Sequence, residues 1–161
     1  MKLVFKLILM LILCVYIAIL SKLILFKYIP LSQIIEHFNF TYDGYHWRDN
    51  NFVPFKTIYF YLYLADINLS IRIENLVGNV IGFAPFGFIL PLLSKRFQKL
   101  SKVTIATLLL SLTFELIQLV FEFGSFDVDD LILNTLGGML GYIPIKIFQM
   151  TTVHRKQNKN T

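Results

Sequence analysis

Residues Val103 to Phe121 read VTIATLLLSLTFELIQLVF, and the only charged side chain among them is Glu115. A helix needs about 20 mostly apolar residues to cross a bilayer core of about 30 Å, and this stretch supplies them. At about 100° per residue, Ser111, Glu115 and Gln118, with Glu122 just beyond, fall on one narrow stripe. A helix apolar on every other side must be buried or bathed in lipid. The stretch therefore reads as a membrane span with one polar face.

The rest of the chain agrees. Of 161 residues, 56% are hydrophobic and 16% charged, and the mean hydropathy is +0.64. Ordinary soluble domains are about 45–50% apolar and about 25% charged, so too few polar residues remain here to cover a globule. That argues against a soluble enzyme or a nucleic-acid-binding module. Three further spans follow from apolar length: about 3–26, 71–93 and 131–150. The expected fold is an all-α integral membrane protein, a bundle of four transmembrane helices over residues 1–150 with a polar tail at 151–161. Lys2 and Lys6 resemble the charged start of a signal peptide. The apolar run to Phe26 exceeds the usual length of about 7–15 residues and no A-x-A site follows, so an uncleaved anchor is expected. Pro85 and Pro91 in the second span and Pro144 in the fourth should kink their helices, which membrane bundles tolerate.

The formal charge of +5 acquires a meaning once the spans are placed. On one side lie Lys2, Lys6, Lys95, Arg96, Lys99, Lys102, Lys146, Arg155, Lys156 and Lys159, with no acid among them. The other side holds every Asp and Glu except Glu115, which is inside a span. Lys/Arg bias in short loops sets orientation, so both termini and the 151–161 tail are expected to be cytoplasmic. The basic loop 94–102 reads first as a plain stop-transfer loop, and its charge also suits anionic lipid head groups. The segment Lys27 to Asn68, rich in aromatics such as Trp47, Tyr59 and Tyr61, is expected either to lie on the outer surface, with a short helix over Thr57 to Leu64, or to form a small cap packed on the span ends, and the sequence does not separate the two.

Polar residues inside spans are costly, and they gather on faces. On the second span Arg72, Asn75, Asn79, Gly82 and Phe86 share one side. On the fourth, Asp127, Asp130, Asn134, Gly137, Gly138 and Gly141 do so, with Asp129 pointing away. Asp127 also suits an N-cap, where acids are favoured by the helix dipole. Glycine pairs Gly78-x-x-x-Gly82 and Gly137-x-x-x-Gly141 let helix backbones approach closely. Three polar stripes converging near the outer end would form a pocket floored by these glycines. The competing reading is an interhelical hydrogen-bond network that only holds the bundle together, at about 0.6 kcal/mol per pair. Neither Cys14, the three histidines nor the acids fall in a metal-binding pattern, and no cofactor fingerprint is present.

One set of residues resembles a known family. Arg48-x-x-Asn51-x-x-Pro54-Phe55-Lys56-Thr57-Ile58 is followed by Asn75-x-x-Gly78-Asn79-x-x-x-Phe83-x-Pro85-Phe86-Gly87. Then come Glu115-Leu-Ile-Gln118 and Gly124-Ser-Phe-Asp127-x-Asp129-Asp130-x-x-x-Asn134-x-x-Gly137-Gly138-x-x-Gly141. Together they resemble the VanZ-like membrane family over about Arg48 to Tyr142. The resemblance implies a bacterial cytoplasmic-membrane protein related to one that lowers susceptibility to teicoplanin-type glycopeptide antibiotics. It also implies site residues at Arg48, Asn51, Asn75, Asn79, Glu115, Gln118, Asp127, Asp130 and Asn134. Many members carry an arginine where this chain has Gly124-Ser125, leaving Arg48 or Arg72 as sources of a cation.

The expected function is a polar pocket, open to the outside, that binds a cell-envelope ligand such as a lipid-linked cell-wall species or a glycopeptide. Membrane lipids are the other expected partners; nucleic acid is not one. Glu115 and Asp130 would form its anionic centre and Asn75, Asn79, Gln118 and Asn134 its orienting amides. Two other readings compete: a membrane hydrolase or transferase acting on lipid-linked phosphates through the same carboxylates, and a scaffold with no chemistry.

Overall fold

The computed structural model describes residues 2–26, 50–64, 66 and 68–157. Five helices carry the fold: α1 (Lys2–Leu25), α2 (Lys56–Tyr59), α3 (Leu69–Leu93), α4 (Leu100–Phe121) and α5 (Val128–Gln157). No strand occurs among the described residues. Four of the five are long and apolar enough to cross a membrane, and α2 runs directly into a π-helical turn, Phe60–Leu64. The expected spans are all present. α5 continues past Met150 to Gln157, so the polar tail begins as helix. α3 and α5 likewise run without a break through Pro85, Pro91 and Pro144.

Local chemistry sets the helix ends. Asn68 caps α3, its side chain accepting from the Ser70 amide at 3.4 Å. Ser94 closes α3 and starts a single 3-10 turn, Lys95–Phe97, which leads into α4. α4 stops at Glu122, whose left-handed backbone (φ 56°) ends the helical run before Gly124. Asp127 then caps α5, its Oδ1 accepting from the Asp129 amide at 2.8 Å. A carboxylate at that position satisfies an amide that the helix cannot, and it is favoured by the dipole.

α3 and α5 share the most extensive interface, α4 packs antiparallel against α5, and α1 leans on α3 and α4 through its C-terminal half. Leu3, Phe5 and Leu11 in the other half of α1 are exposed, as lipid-facing residues should be. One apolar cluster joins Leu20 and Leu25 of α1 to Phe83, Phe114 and Phe123. The Phe83 and Phe114 rings meet edge-on with centroids 6.3 Å apart. A second cluster at the opposite end joins Val103, Tyr142 and Ile145, where the Tyr142 hydroxyl donates to the Gln98 carbonyl.

Glycines fix how closely α3 and α5 approach. A Cβ at Gly137 would overlap the Val80 carbonyl, one at Gly141 the Ala84 carbonyl, and one at Gly87 the backbone of Gly138. Gly138 in turn lies under Thr107 of α4. Here the expected packing set needs correction. Gly78 has nothing within 4 Å of its Cβ direction, and Gly82 meets only the Leu20 Cδ1 at 3.6 Å. The face of α3 that meets α5 is Val80, Ala84 and Gly87, on the opposite side of the helix from Gly78 and Gly82.

Candidate functional site

The loop before α5 and the segment 50–64 are bound together as a strap across one end of the bundle. Asn51 and Asp127 form a parallel β-bridge: the Asn51 amide donates to the Phe126 carbonyl at 2.7 Å, and the Val128 amide to the Asn51 carbonyl at 3.0 Å. The Asn50 side chain accepts from the Phe126 amide at 2.7 Å, and the Phe52 and Phe126 rings stack 5.1 Å apart. Asn51 Nδ2 donates to Asp127 Oδ1 at 2.8 Å, while the Thr57 hydroxyl donates to Asp127 Oδ2 at 2.6 Å.

Asp129 completes the strap. Fully buried, its carboxylate accepts from the Phe55 amide at 2.5 Å, the Thr57 amide at 2.7 Å and the Ile58 amide at 3.0 Å. Those amides belong to the first turn of α2, whose own N-cap residue is Phe55 and offers no side-chain acceptor. Asp129 therefore caps α2 from a different helix. Phe55 sits at φ 66°, a left-handed conformation uncommon for a bulky residue, and the bonds to Asp129 on both sides hold it there. Read along α5 alone, Asp129 is out of phase with the polar face. Its partner is the strap rather than another span, and no helical periodicity could reveal that.

Below the strap lies a cavity of about 410 Å³. From the expected site it collects Asn75 and Asn79 of α3, Gln118 of α4, Asp127 at the start of α5, and Asp130 within its first turn. Asn79 Nδ2 donates to Asp130 Oδ1 at 2.5 Å across the α3–α5 gap. Gln118 Nε2 donates to the Ile24 carbonyl of α1 at 3.3 Å, and Gly124 leaves it room. Asn75 donates to Ile71 of its own helix at 2.8 Å. Thr57 and Tyr61 of the strap, with Glu74 and Ser125, add polar atoms that the stripes alone did not single out. Leu20, Leu23 and Ile24 of α1 form an apolar wall.

Other expected site residues lie elsewhere. Glu115, 2% exposed, is behind the cavity rather than on its wall, and its Oε2 accepts from the Asp127 amide at 2.8 Å. It ties α4 to the start of α5. Asn51 belongs to the strap. Asn134 is deeper and fully enclosed, with Nδ2 donating to Ser111 Oγ at 2.8 Å, as an interhelical tie would. Arg72 Nη1 donates to the Leu62 carbonyl at 3.2 Å, where the π-helical turn meets α3. Arg48 falls outside the described residues. No group of three His, Cys, Asp or Glu side chains is arranged to hold a metal ion among the described residues.

Four apolar helices with a part-polar cavity under a strap at one end define a multi-pass membrane protein. The model of the VanZ/LLP1 family matches residues 7–149, and the chain belongs to that family. It is also 35% identical over 147 residues to Protein VanZ of Enterococcus faecium, an alignment covering 91% of this chain and 77% of that one. No solved structure matches it.

Proposed function

We propose that this chain is a bacterial cell-membrane protein that lowers susceptibility to teicoplanin-type glycopeptides, using the cavity beneath the strap as its binding site. The strap end faces outward in this reading. Lys95, Arg96, Lys99, Lys102 and Lys146 are exposed at the opposite end, as expected for a cytoplasmic side. The kinship with Protein VanZ of Enterococcus faecium supports the resistance role. The observation that carries the binding role is the convergence of Asn75, Asn79, Gln118 and Asp130, from three helices, on one cavity of about 410 Å³. Such a site offers amides and a carboxylate to hydroxyl and N–H groups, the chemistry of sugars and peptides.

The hydrolase reading loses support from the same geometry. Of the two carboxylates that reading relies on, Glu115 accepts the Asp127 amide behind the cavity and is committed to structure, so Asp130 is the one of the pair left on the cavity wall. The decisive measurement is teicoplanin susceptibility of a sensitive host expressing wild type, Asn79→Ala or Asp130→Ala at equal membrane levels. Protection by wild type that both variants lose is the expected result. Full protection by both variants sinks the binding role and leaves the network as interhelical glue.

A further inference from the structure

Three features of the cavity concern where it opens. Its lining is divided, with amides and carboxylates from α3, α4 and α5 on one side and Leu20, Leu23 and Ile24 of α1 on the other. Two of its lining residues are exposed on the flank between α1 and α3: Leu23 is 62% exposed, and Gly78 is exposed with open space where a side chain would project. Lower down, that flank is closed by the Tyr16 hydroxyl, which donates to the Gly82 carbonyl at 2.6 Å.

Depth decides what lies outside this opening. At 1.5 Å per residue, Gly78 is about 13 Å along α3 from its start at Leu69. α3 has 25 residues and is about 37 Å long, so it overhangs a core of about 30 Å by only about 4 Å at each end. The flank at Gly78 therefore faces acyl chains rather than water.

We infer that the cavity opens sideways between α1 and α3 into the acyl-chain layer and takes a membrane amphiphile. Its polar head meets Asn79 and Asp130, and one hydrocarbon chain lies along Leu20, Leu23 and Ile24. This rests on the reading of the cavity as a binding site and adds the route and the ligand's two-part chemistry. An apolar wall of α1 side chains has no use for a fully water-soluble ligand, whereas a chain lying on it buries apolar surface at about 25 cal/mol per Å².

Tryptophan quenching in vesicles tests the route. Trp47, the sole tryptophan, is replaced by Phe, and Leu133→Trp places a reporter on the far wall of the cavity. Ile81→Trp, at a position 65% exposed on α3, serves as the lipid-facing control and as a check on insertion. Full-length proteins are reconstituted in phosphatidylcholine with brominated acyl chains. The expected result is a loss of Leu133→Trp emission approaching that of the control, weak quenching by acrylamide, and marked recovery when Gly78→Leu is added. Quenching by acrylamide alone means the cavity opens to water; quenching by neither means it is closed; recovery absent with Gly78→Leu means the route is elsewhere. Each of these overturns the proposal. If Leu133→Trp does not insert, Leu76→Trp reports from the α3 wall. Susceptibility of Asn79→Ala cells is read separately, so a failed route and a failed binding role are told apart.

Discussion

α3 and α5 are parallel neighbours along most of their length, yet the two halves of their contact differ. Toward the end away from the strap Gly137, Gly141 and Gly87 bring backbone against backbone. Toward the strap end the link is the Asn79–Asp130 hydrogen bond, and beside it lies the cavity. One half is closed by absent side chains, the other held apart by polar ones. In lipid no hydrophobic force drives helices together, so close van der Waals contact between small residues does the work. A gap between helices survives only where something rigid keeps it open. Here the strap, pinned by Asp127 and Asp129, lies over that end and contributes Thr57 and Tyr61 to the cavity lining.

Placing the same side chain in each half breaks the comparison most sharply. Gly141→Leu drives a side chain into the Ala84 backbone, and overpacking of this kind costs about 1–3 kcal/mol or more. The expected outcome is loss of monodisperse protein on size-exclusion chromatography in detergent. Gly78→Leu meets open space and should shift thermal stability by less than about 0.5 kcal/mol, the range of substitutions away from packing features. On the proposed function it should nevertheless reduce protection against teicoplanin in the susceptibility measurement. Equal instability of the two variants would mean that Gly78 packs after all.

Asp129→Ala comes next. It leaves three amides of the strap without their acceptor, each worth about 1–3 kcal/mol when buried. Hydrogen exchange at residues 55–58 should accelerate strongly while α3 and α5 around Gly141 stay protected. Asp129→Asn, which keeps an oxygen, should fall between. Exchange that rises everywhere would show the strap to be part of the bundle's core rather than a separate brace.

The smallest effect is expected at Asn134. Its Nδ2 bonds Ser111, but its Oδ1 is buried without a partner, so the amide gains little by being there. Asn134→Leu together with Ser111→Ala should change stability by less than about 1 kcal/mol, since replacing both partners by apolar groups is often near neutral. A large loss would make this pair a load on the closed half rather than a minor tie.

Much of this was legible in the sequence. The apolar lengths gave the four spans, and helical phase picked out Asn75, Asn79, Gln118 and Asp130, which do line one cavity. Phase tells which residues share a face, but not how deep they lie, what stands in front of them, or which segment outside the spans they meet. It read Glu115 and Asn134 as pocket residues because they share the stripe, but depth and the thickness of the neighbouring helix put them behind the wall. It read Gly78-x-x-x-Gly82 as a packing pair, although spacing alone cannot say which side of a helix its neighbour occupies. Asp129 was invisible to it, because its ligands are main-chain amides of a segment whose own sequence carries no sign of needing a cap.

The capping of α2 by Asp129 also has a bearing on the order of synthesis. Phe55 and its acceptor are 74 residues apart in the chain, and the acceptor sits at the threshold of the last span. While the ribosome is still making α3 and α4, α2 has no cap and the strap has no anchor. Only when the fourth span starts to enter the membrane does the carboxylate arrive that shapes the roof. The cavity is thus finished last, and a nascent chain truncated before Asp129 would have three spans inserted with its site still unroofed.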